Sequence, residues 1–219
     1  MGDRAAKDAL YDGFAVVAKG LASGRRAEIV DVLAQGERSV EDVAAEIGQS
    51  VANTSQHLRQ LARAGLLRTR REGTRIFYAL ASARVAELWM AMRDVATEHV
   101  AQVERLAADY LGDRAGLKTM TRDELVRWPR DKKVVVLDVR PATEYRAGHI
   151  PGARSVPVTE LEATLDTLAR DAQVVAYCRG PYCVYADDAV RELSQRGYTA
   201  ARLEDGYPEW VKAGLPTEP

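Results

Sequence analysis

The sequence predicts a two-domain protein, with an N-terminal α+β domain and a C-terminal α/β domain built on a small parallel sheet. The chain has 219 residues, enough for two domains of about 100 residues each. Apolar residues recur with a helical period up to residue 64, and with a period of two from there to residue 80. From residue 117 onward short apolar runs alternate with helical patterns, which is typical of parallel α/β sheets.

The composition is ordinary for a globular protein, with 47% hydrophobic and 29% charged residues. No apolar run reaches the roughly 18 residues of a membrane span, and the N-terminus lacks the apolar core of a secretory signal. Two cysteines are too few to stabilise a secreted fold and are more often reactive in a reducing compartment. We therefore expect a cytoplasmic protein that does not bind membranes.

Four helices are predicted at the N-terminus. Ser23, Ser39 and Ser50 precede three of them as N-caps, and Ser39 opens a capping-box pattern. The segment Gly48-Gln49-Ser50 joins the last two helices, which is the helix-turn-helix arrangement. The predicted helices cover residues 4–21, 25–35, 40–47 and 51–64.

A β-hairpin follows the helices directly. Residues 66–71 and 74–80 alternate in polarity and flank Glu72-Gly73, which is a tight-turn signal. Six arginines and one acid give residues 51–80 a local charge of +5, although the whole chain carries only −1. Such a segment either binds an anionic partner such as DNA or is a solvated face. A helix-turn-helix followed by a basic hairpin predicts a winged helix.

This half resembles the ArsR-type winged-helix repressors through the segment GQSVANTSQHLRQLARAGLLRTRREGTRIFYAL (48–80). The resemblance covers roughly residues 10–85. It implies a homodimer on a dyad-symmetric, double-stranded DNA operator, with helix 51–64 in the major groove. Short polar side chains at the start of that helix suit base edges, and arginines suit phosphates or a minor groove. The candidate DNA contacts are Asn53, Thr54, Ser55, Gln56, His57, Arg59, Arg70, Arg71 and Arg75.

Each of these residues has an alternative interpretation as a solvated position, and His57 also as a helix-packing histidine. Many members of the resembled family sense metals through cysteines before the turn or paired histidines on a long helix. Here residues 40–47 hold no cysteine, and only His99, beside Glu98 and Asp94, is available on the long helix. Zinc normally takes four ligands. We therefore predict no metal site and no cofactor.

A connector is predicted between the two domains. Its apolar stripe, from Val85 to Tyr110, indicates one continuous helix over residues 84–111 that Gly112 ends. Such a stripe fits a helix-pair dimer interface, or a helix packed on its own domain. The expected boundaries are 1–83 for the winged helix-turn-helix, 84–116 for the connector and linker, and 117–219 for the C-terminal domain.

The C-terminal domain is predicted to alternate strands and helices. Thr121 caps a short helix over residues 122–127. A sheet of parallel strands places its functional site at the carboxyl ends of the strands. The predicted strands cover residues 134–139, 173–177 and 198–203, and the predicted longer helices cover residues 159–170 and 185–196.

Both cysteines, Cys178 and Cys183, fall on the loop between strand 173–177 and helix 185–196. The N–H groups at the start of a helix favour an anion there and lower the pKa of a thiol. Cys178 comes directly after the strand, which makes it the candidate nucleophile. The alternative is a pair of buried, inert cysteines.

This half resembles a single rhodanese domain, through LDVRPATEYRAGHIPGARSVP (137–157), VVAYCRG (174–180), GYTAARLEDGYPEW (197–210) and GLP (214–216). The resemblance implies that Cys178 accepts a sulfane sulfur as a persulfide, in a site that includes Arg179 and Gly180. Amides of the loop 178–184 would stabilise the persulfide anion.

Four further residues are expected to support the site rather than react in it. Asp138, Arg140 and Glu144 are interpreted as supports of the loop, and His149 as fixing the turn 148–152.

The loop departs from the commoner Cys-Arg-x-Gly-x-Arg-Ser pattern, because Cys183 stands where an arginine would be and Val184 where a serine would be. Without that cation, efficient thiosulfate turnover is not expected, and the lack of Cys-x5-Arg argues against phosphatase activity. Instead, Cys183 supplies a second thiol that can attack a persulfide on Cys178 and form a disulfide or polysulfide bridge.

Together these patterns predict a DNA-binding transcriptional regulator that senses or accepts reactive sulfur, or another oxidant, through Cys178 with Cys183 as resolving thiol. Two alternatives stay open. One is a working sulfurtransferase, with a persulfide on Cys178, tethered to a DNA-binding domain. The other is a module that binds an oxyanion effector without covalent chemistry.

Overall fold

The computed structural model describes residues 3–128 and 133–219. Residues 1, 2 and 129–132, which the expected boundaries 1–83 and 117–219 include, lie outside the described residues. The chain divides into two compact units, and the boundary in the sequence falls between Val95 and Ala96.

The first unit contains helices and a three-stranded antiparallel sheet of order β1-β3-β2. The four predicted helices and the hairpin are confirmed, whereas the short strand β1, which pairs with β3, was not predicted. The elements are α1 Arg4–Leu21, α2 Gly24–Leu33, β1 Arg38–Ser39, α3 Val40–Glu46, α4 Val51–Arg63, β2 Leu67–Glu72 and β3 Arg75–Leu80.

The core of this unit is an apolar cluster in which Ile29 and Val30 of α2 and Leu58 and Leu61 of α4 are completely buried. The spacing of the buried residues of α4 follows the helical period, so that the opposite face carries its polar residues. Tyr78 of β3 closes the same cluster from the sheet side. The winged helix-turn-helix is therefore a small domain with its own core.

The predicted continuous helix over residues 84–111 is wrong. The connector forms two helices, α5 Ala83–His99 and α6 Ala101–Leu111, because Val100 leaves the helical region of the backbone with φ −105° and ψ 92°. A β-branched residue at that position loses little by the change, since it is a poor helix former. Gly112 ends α6 as predicted, with φ 66°.

The second unit contains a five-stranded parallel sheet of order β4-β8-β7-β5-β6, in agreement with the predicted α/β class. The edge strands β4 and β6 and the helices α8 and α11 were not predicted. The elements are β4 Thr119–Met120, α7 Arg122–Val126, β5 Val134–Asp138, α8 Ala142–Ala147, β6 Arg154–Ser155, α9 Leu161–Thr164, β7 Gln173–Tyr177, α10 Tyr185–Gln195, β8 Thr199–Leu203 and α11 Tyr207–Lys212.

The predicted helix 159–170 is also wrong as a single element. The segment forms one turn of α-helix between two 3₁₀ turns, Val158–Glu160 and Leu165–Thr167. Leu161, Leu165 and Leu168 are nevertheless buried together against the sheet. The segment therefore has one buried face although it is not one helix.

Strand β7 is buried on both faces of the sheet. Val174, Ala176 and Cys178 belong to the apolar cluster under α10, whereas Val175 and Tyr177 belong to the cluster on the other face. This alternation follows from the two-residue period of a strand. It places the Cys178 side chain on the face that α10 covers.

Within residues 3–128 and 133–219, no helix is long and apolar enough to cross a membrane. In the same described ranges, no group of three or more histidine, cysteine, aspartate or glutamate side chains could hold a metal ion.

The N-caps of the first unit provide a test of its local energetics. The buried Ser39 accepts a hydrogen bond from the Asp42 amide and completes a capping box, whereas the Ser23 side chain makes no capping bond to α2. We expect Ser39→Ala to lower the free energy of unfolding of this domain by about 0.5–2 kcal/mol. Ser23→Ala, the matched control, should leave it nearly unchanged. Urea denaturation measures both, and equal losses would contradict the capping argument.

Candidate functional site

Both cysteines lie on the loop that follows β7 and leads into α10. The structure joins Cys178 and Cys183 in a disulfide with their Cα atoms 6.2 Å apart. Cys178 is 2% exposed, whereas Cys183 is only partly buried. A bonded pair of this kind is the oxidised form of a dithiol, and thiolate exchange interconverts the two forms. The loop can therefore hold its sulfur atoms in at least two covalent states.

The main chain of the loop 178–184 is fixed against the segment that follows β8. The Tyr207 amide donates to the Cys178 carbonyl at 3.0 Å, and the Cys183 amide donates to the Gly180 carbonyl at 3.1 Å. Gly206 lies directly on the backbone of Arg179 and Gly180, with no room for a Cβ atom. The loop is thus packed backbone to backbone, which requires glycine at position 206.

Arg179 forms a buried ion pair with Glu144 of α8. Its Nε lies 3.1 Å from Glu144 Oε2 and its Nη2 lies 2.5 Å from Glu144 Oε1, and the Glu144 side chain is 1% exposed. A bidentate pair of this geometry fixes the planar guanidinium in orientation. Glu144, one of the residues predicted to support the loop, therefore contacts the loop residue Arg179 directly.

Asp138 and Arg140 form a second buried ion pair at the end of β5. Both side chains are fully buried, and Arg140 Nη2 lies 2.6 Å from Asp138 Oδ2 and 2.8 Å from the Gly148 carbonyl. The Tyr177 hydroxyl donates to Asp138 at 2.5 Å. Strand β7, which ends one residue before Cys178, is therefore bonded to the end of β5 through this pair.

The buried cluster also shifts the pKa values of its members. Burial raises the pKa of Tyr177 well above its ordinary value, and the charge of Asp138 raises it further. Burial lowers the pKa of Arg140, but the hydrogen bond and charge of Asp138 outweigh that effect and raise it overall. Tyr177 therefore stays protonated and Arg140 stays charged across the physiological range.

His149 is held in the turn 148–152, as the sequence predicted. Its ring stacks on Tyr145 with centroids 3.7 Å apart, and its Nδ1 lies 3.1 Å from the Tyr145 carbonyl. Its main chain pairs with Glu218 through two hydrogen bonds. These contacts tie the C-terminal segment to the turn and give His149 a structural place.

The side chains that hold the end of the loop next to α10 were not predicted from the sequence. Arg114, between α6 and β4, donates from Nε to Asp187 at 2.5 Å, from Nη1 to the Pro181 carbonyl at 2.9 Å, and from Nη2 to the Cys183 carbonyl at 3.4 Å. Asp187 is fully buried in α10, and Arg202 of β8 lies 3.6 Å from its other oxygen. Burial, and next the charge of Arg114, lower the pKa of Arg202.

A second candidate surface lies on helix α4. Asn53, Gln56 and Arg59 are exposed along its polar face, and Ser55 and His57 are partly exposed. The buried residues of α4 are Thr54, Leu58 and Leu61. Thr54 is fully buried because it is one turn before Leu58 on the core face. The prediction that Thr54 contacts DNA is therefore corrected, since its side chain faces the domain core.

The hairpin of β2 and β3, which is the wing of the winged helix, carries the remaining predicted DNA contacts. Arg71 and Arg75 are exposed, and Arg71 donates to the Gly73 carbonyl at the tip of the hairpin. Arg70 is held by two carboxylates, with Nη2 2.6 Å from Glu37 and Nη1 2.6 Å from Glu72, and it stacks on the ring of Phe77. A guanidinium already paired with two carboxylates is a weaker phosphate ligand, so Arg70 is the least suited member of the set.

Two family models match the chain in the order of its two units. The model described as the bacterial regulatory protein, arsR family, matches residues 23–69, and the rhodanese-like domain model matches residues 121–213.

Similar proteins are known for the whole chain and for each part. HTH-type transcriptional regulator Rv0324 of Mycobacterium tuberculosis is 48% identical over 212 residues, which are 97% of this chain and 93% of that protein. A sulfurtransferase of Allochromatium vinosum is 32% identical over 84 residues, which are 38% of this chain and 77% of that protein.

A homodimeric winged helix-turn-helix DNA-binding domain, the 1–100 fragment of Mb0332 from Mycobacterium bovis, is 45% identical. The match covers 47% of this chain and 93% of that fragment, with a TM-score of 0.43. The assignment to a family rests on the full-length relative and on the two family models. The chain belongs to the ArsR family of bacterial transcriptional regulators, in a form that carries a C-terminal rhodanese-like domain.

Proposed function

We propose that this regulator responds to reactive sulfur through the Cys178–Cys183 pair, and that the covalent state of the pair controls its affinity for DNA. The observation that carries the proposal is the direct bond between the two cysteines at the start of α10. Cys178 occupies the loop position at which the resemblance to rhodanese domains expects a persulfide. A second sulfur within bonding distance gives that persulfide an intramolecular partner.

The proposed chemistry proceeds in two exchange steps. In the first, the Cys178 thiolate attacks the outer sulfur of a persulfide donor, the donor leaves as a thiol, and Cys178 carries the transferred sulfur. In the second, the Cys183 thiolate attacks Cys178 Sγ and hydrosulfide leaves, which produces the bridge. The sulfane sulfur is reduced to sulfide as the two thiols are oxidised, so the electrons balance.

The DNA-binding part of the proposal rests on α4 and the wing. The exposed polar face of α4 carries side chains that suit base edges, and Arg71 and Arg75 of the hairpin suit phosphates. We propose binding as a homodimer to a dyad-symmetric operator with half-sites about one helical turn apart. The second copy would cover the exposed apolar side chains of Leu10, Tyr11 and Phe14 on α1.

The connector offers further apolar surface to a second copy, because Leu88, Met92 and Val95 of α5 are exposed, whereas Val85 and Trp89 pack on the core of their own unit. The packed side of α5 fits the interpretation as a helix packed on its own domain, and the exposed side supports the proposed contact with a second copy.

The cysteine variants test the proposed switch. We expect wild-type protein, reduced and then treated with sodium tetrasulfide, to lose two hydrogens across residues 178–183 and to release operator DNA. Cys178→Ser should keep the operator affinity of the reduced protein and lose the response. Cys183→Ser should accumulate a mass gain of one or more sulfur atoms on Cys178 without forming a bridge. Intact mass spectrometry and fluorescence anisotropy of labelled operator, measured on the same samples, check each outcome.

Other results of this experiment would select a different function. Repeated turnover of a sulfur donor with a thiol acceptor, dependent on Cys178 but not on Cys183, would identify a tethered sulfurtransferase. An oxyanion such as arsenate that releases DNA equally from wild type and Cys178→Ser would identify non-covalent effector binding. Either result would overturn the proposed switch.

The wing arginines test the DNA interface. Arg75→Gln should weaken binding to operator and to random DNA alike, and should reduce the slope of log K against log salt by about 1, because one phosphate contact is lost. Arg70→Gln makes the same charge change at a side chain that Glu37 and Glu72 already hold, and should change the slope much less. Salt titrations of both variants provide the comparison, and identical slopes would contradict the assignment.

A further inference from the structure

We propose that Arg114 is a positioning residue that transmits the covalent state of the Cys178–Cys183 pair to the connector. The inference rests on the proposed function, because it names the route by which that site acts on the rest of the chain. It starts from a single guanidinium that binds the carbonyls of Pro181 and Cys183 and the buried carboxylate of Asp187.

Two of the Arg114 contacts lie on the loop 178–184, here called the cysteine loop. Cys183 is one of the two bonded residues, so bridging fixes its main chain relative to Cys178 and reduction releases that restraint. The carbonyl that Arg114 binds belongs to the same residue. Any change in the position of Cys183 therefore changes the geometry of a hydrogen bond to the connector.

The same contacts orient the peptide groups of the loop. In a planar trans peptide the N–H of one residue points opposite to the carbonyl of the residue before it. Because Arg114 holds the carbonyls of Pro181 and Cys183, the N–H groups of Tyr182 and Val184 point away from the guanidinium. Arg114 thus supplies a cation to a loop that has cysteine in place of the usual arginine, and it orients two of the loop amides.

Asp187 fixes the position of the Arg114 side chain. Its carboxylate is fully buried at the first turn of α10, between Arg114 and Arg202. A buried carboxylate strongly favours a charged partner at a fixed distance. The Arg114 side chain is therefore held from one side by the scaffold and contacts the loop from the other.

Two more hydrogen bonds join the connector to the same region. The Thr97 hydroxyl, in the last turn of α5, lies 2.7 Å from the Tyr182 hydroxyl of the loop. Arg191 of α10 donates to the Asp113 carbonyl, next to Arg114, at 2.9 Å. The connector thus contacts the loop and the helix after it at two places, around residue 97 in the last turn of α5 and around residue 114 after α6.

The experiment compares Arg114→Gln with Arg105→Gln in the full-length protein. Arg105 lies on the exposed side of α6 in the same connector, so its substitution makes the same charge change away from the loop. Both variants and wild type are prepared in the dithiothreitol-reduced form and in the bridged form. Three quantities are measured in each protein: the equilibrium constant of the disulfide against dithiothreitol, hydrogen exchange of residues 97–114, and operator affinity.

We expect wild type and Arg105→Gln to behave alike, with hydrogen exchange of residues 97–114 that differs between the reduced and bridged forms. In Arg114→Gln this difference should disappear, and its disulfide should be about tenfold easier to reduce, which corresponds to about 30 mV. The reason is reciprocity: contacts that are stronger in the bridged form also stabilise the bridge. Bridging should still occur in this variant but should no longer change operator affinity.

A second variant guards against an effect of misfolding, because Arg114→Gln leaves the buried Asp187 with one fewer partner. Arg114→Gln combined with Asp187→Asn removes both charges and should fold, as judged by its melting curve, with the coupling still lost. The proposal is overturned if Arg114→Gln matches Arg105→Gln in all three measurements, or if the double variant recovers the wild-type difference in exchange.

The outcomes separate this inference from the proposed function. If bridging of wild type leaves operator affinity unchanged, the proposed switch fails, yet the disulfide equilibrium and the hydrogen exchange still decide the role of Arg114. If wild type releases DNA and Arg114→Gln releases it equally, the switch stands and the role of Arg114 fails.

Discussion

The buried ion pair of Asp138 and Arg140 is the interaction on which the arrangement at the carboxyl edge of the sheet depends. Its two charges are fully removed from water, so each must be satisfied by fixed partners. Those partners are the hydroxyl of Tyr177, the carbonyl of Gly148 and the aromatic face of Tyr207. One pair thereby joins β5, the end of β7, the turn before β6 and the start of α11. The cysteine loop begins one residue after Tyr177 and so has a fixed origin.

Much of the fold could be predicted because its signals are local. The capping box at Ser39 and the N-cap at Thr121 are confirmed, since each depends on a side chain within three residues of the helix start. The break at Val100 could not be predicted, because its neighbours in sequence are compatible with an uninterrupted helix and no proline or glycine marks it. The two-residue strands β1, β4 and β6 could not be predicted either. They are strands because each pairs with a distant strand, and their own sequences carry no strand signal.

The candidate functional site shows the same difference between features with a local sequence signal and features that depend on distant contacts. The position of Cys178 at the end of a strand followed from apolar spacing, and its proximity to Cys183 from their separation of five residues. The role of Arg114 depends on contacts with residues 67 to 73 positions away, for which the sequence carries no signal. Predicting the burial of Thr54 required knowing which side of α4 faces the core, and predicting the pairing of Arg70 required knowing that the distant Glu37 lies beside it. Residue types were informative about chemistry, and tertiary contacts decided which residues can perform it.

The bridge between Cys178 and Cys183 has a consequence for timing under the proposed function. A bound ligand leaves when its concentration falls, whereas a covalent bond persists until a reductant breaks it. The chain has only these two cysteines, so an external thiol reductant must supply both electrons. Cys183 is partly exposed and Cys178 is almost completely buried, so a reductant reaches Cys183 more readily. The duration of the response is then set by the cell's reducing capacity. The bridged form persists after the sulfur donor has gone, so the fraction of bridged protein reflects past exposure and not the present donor concentration.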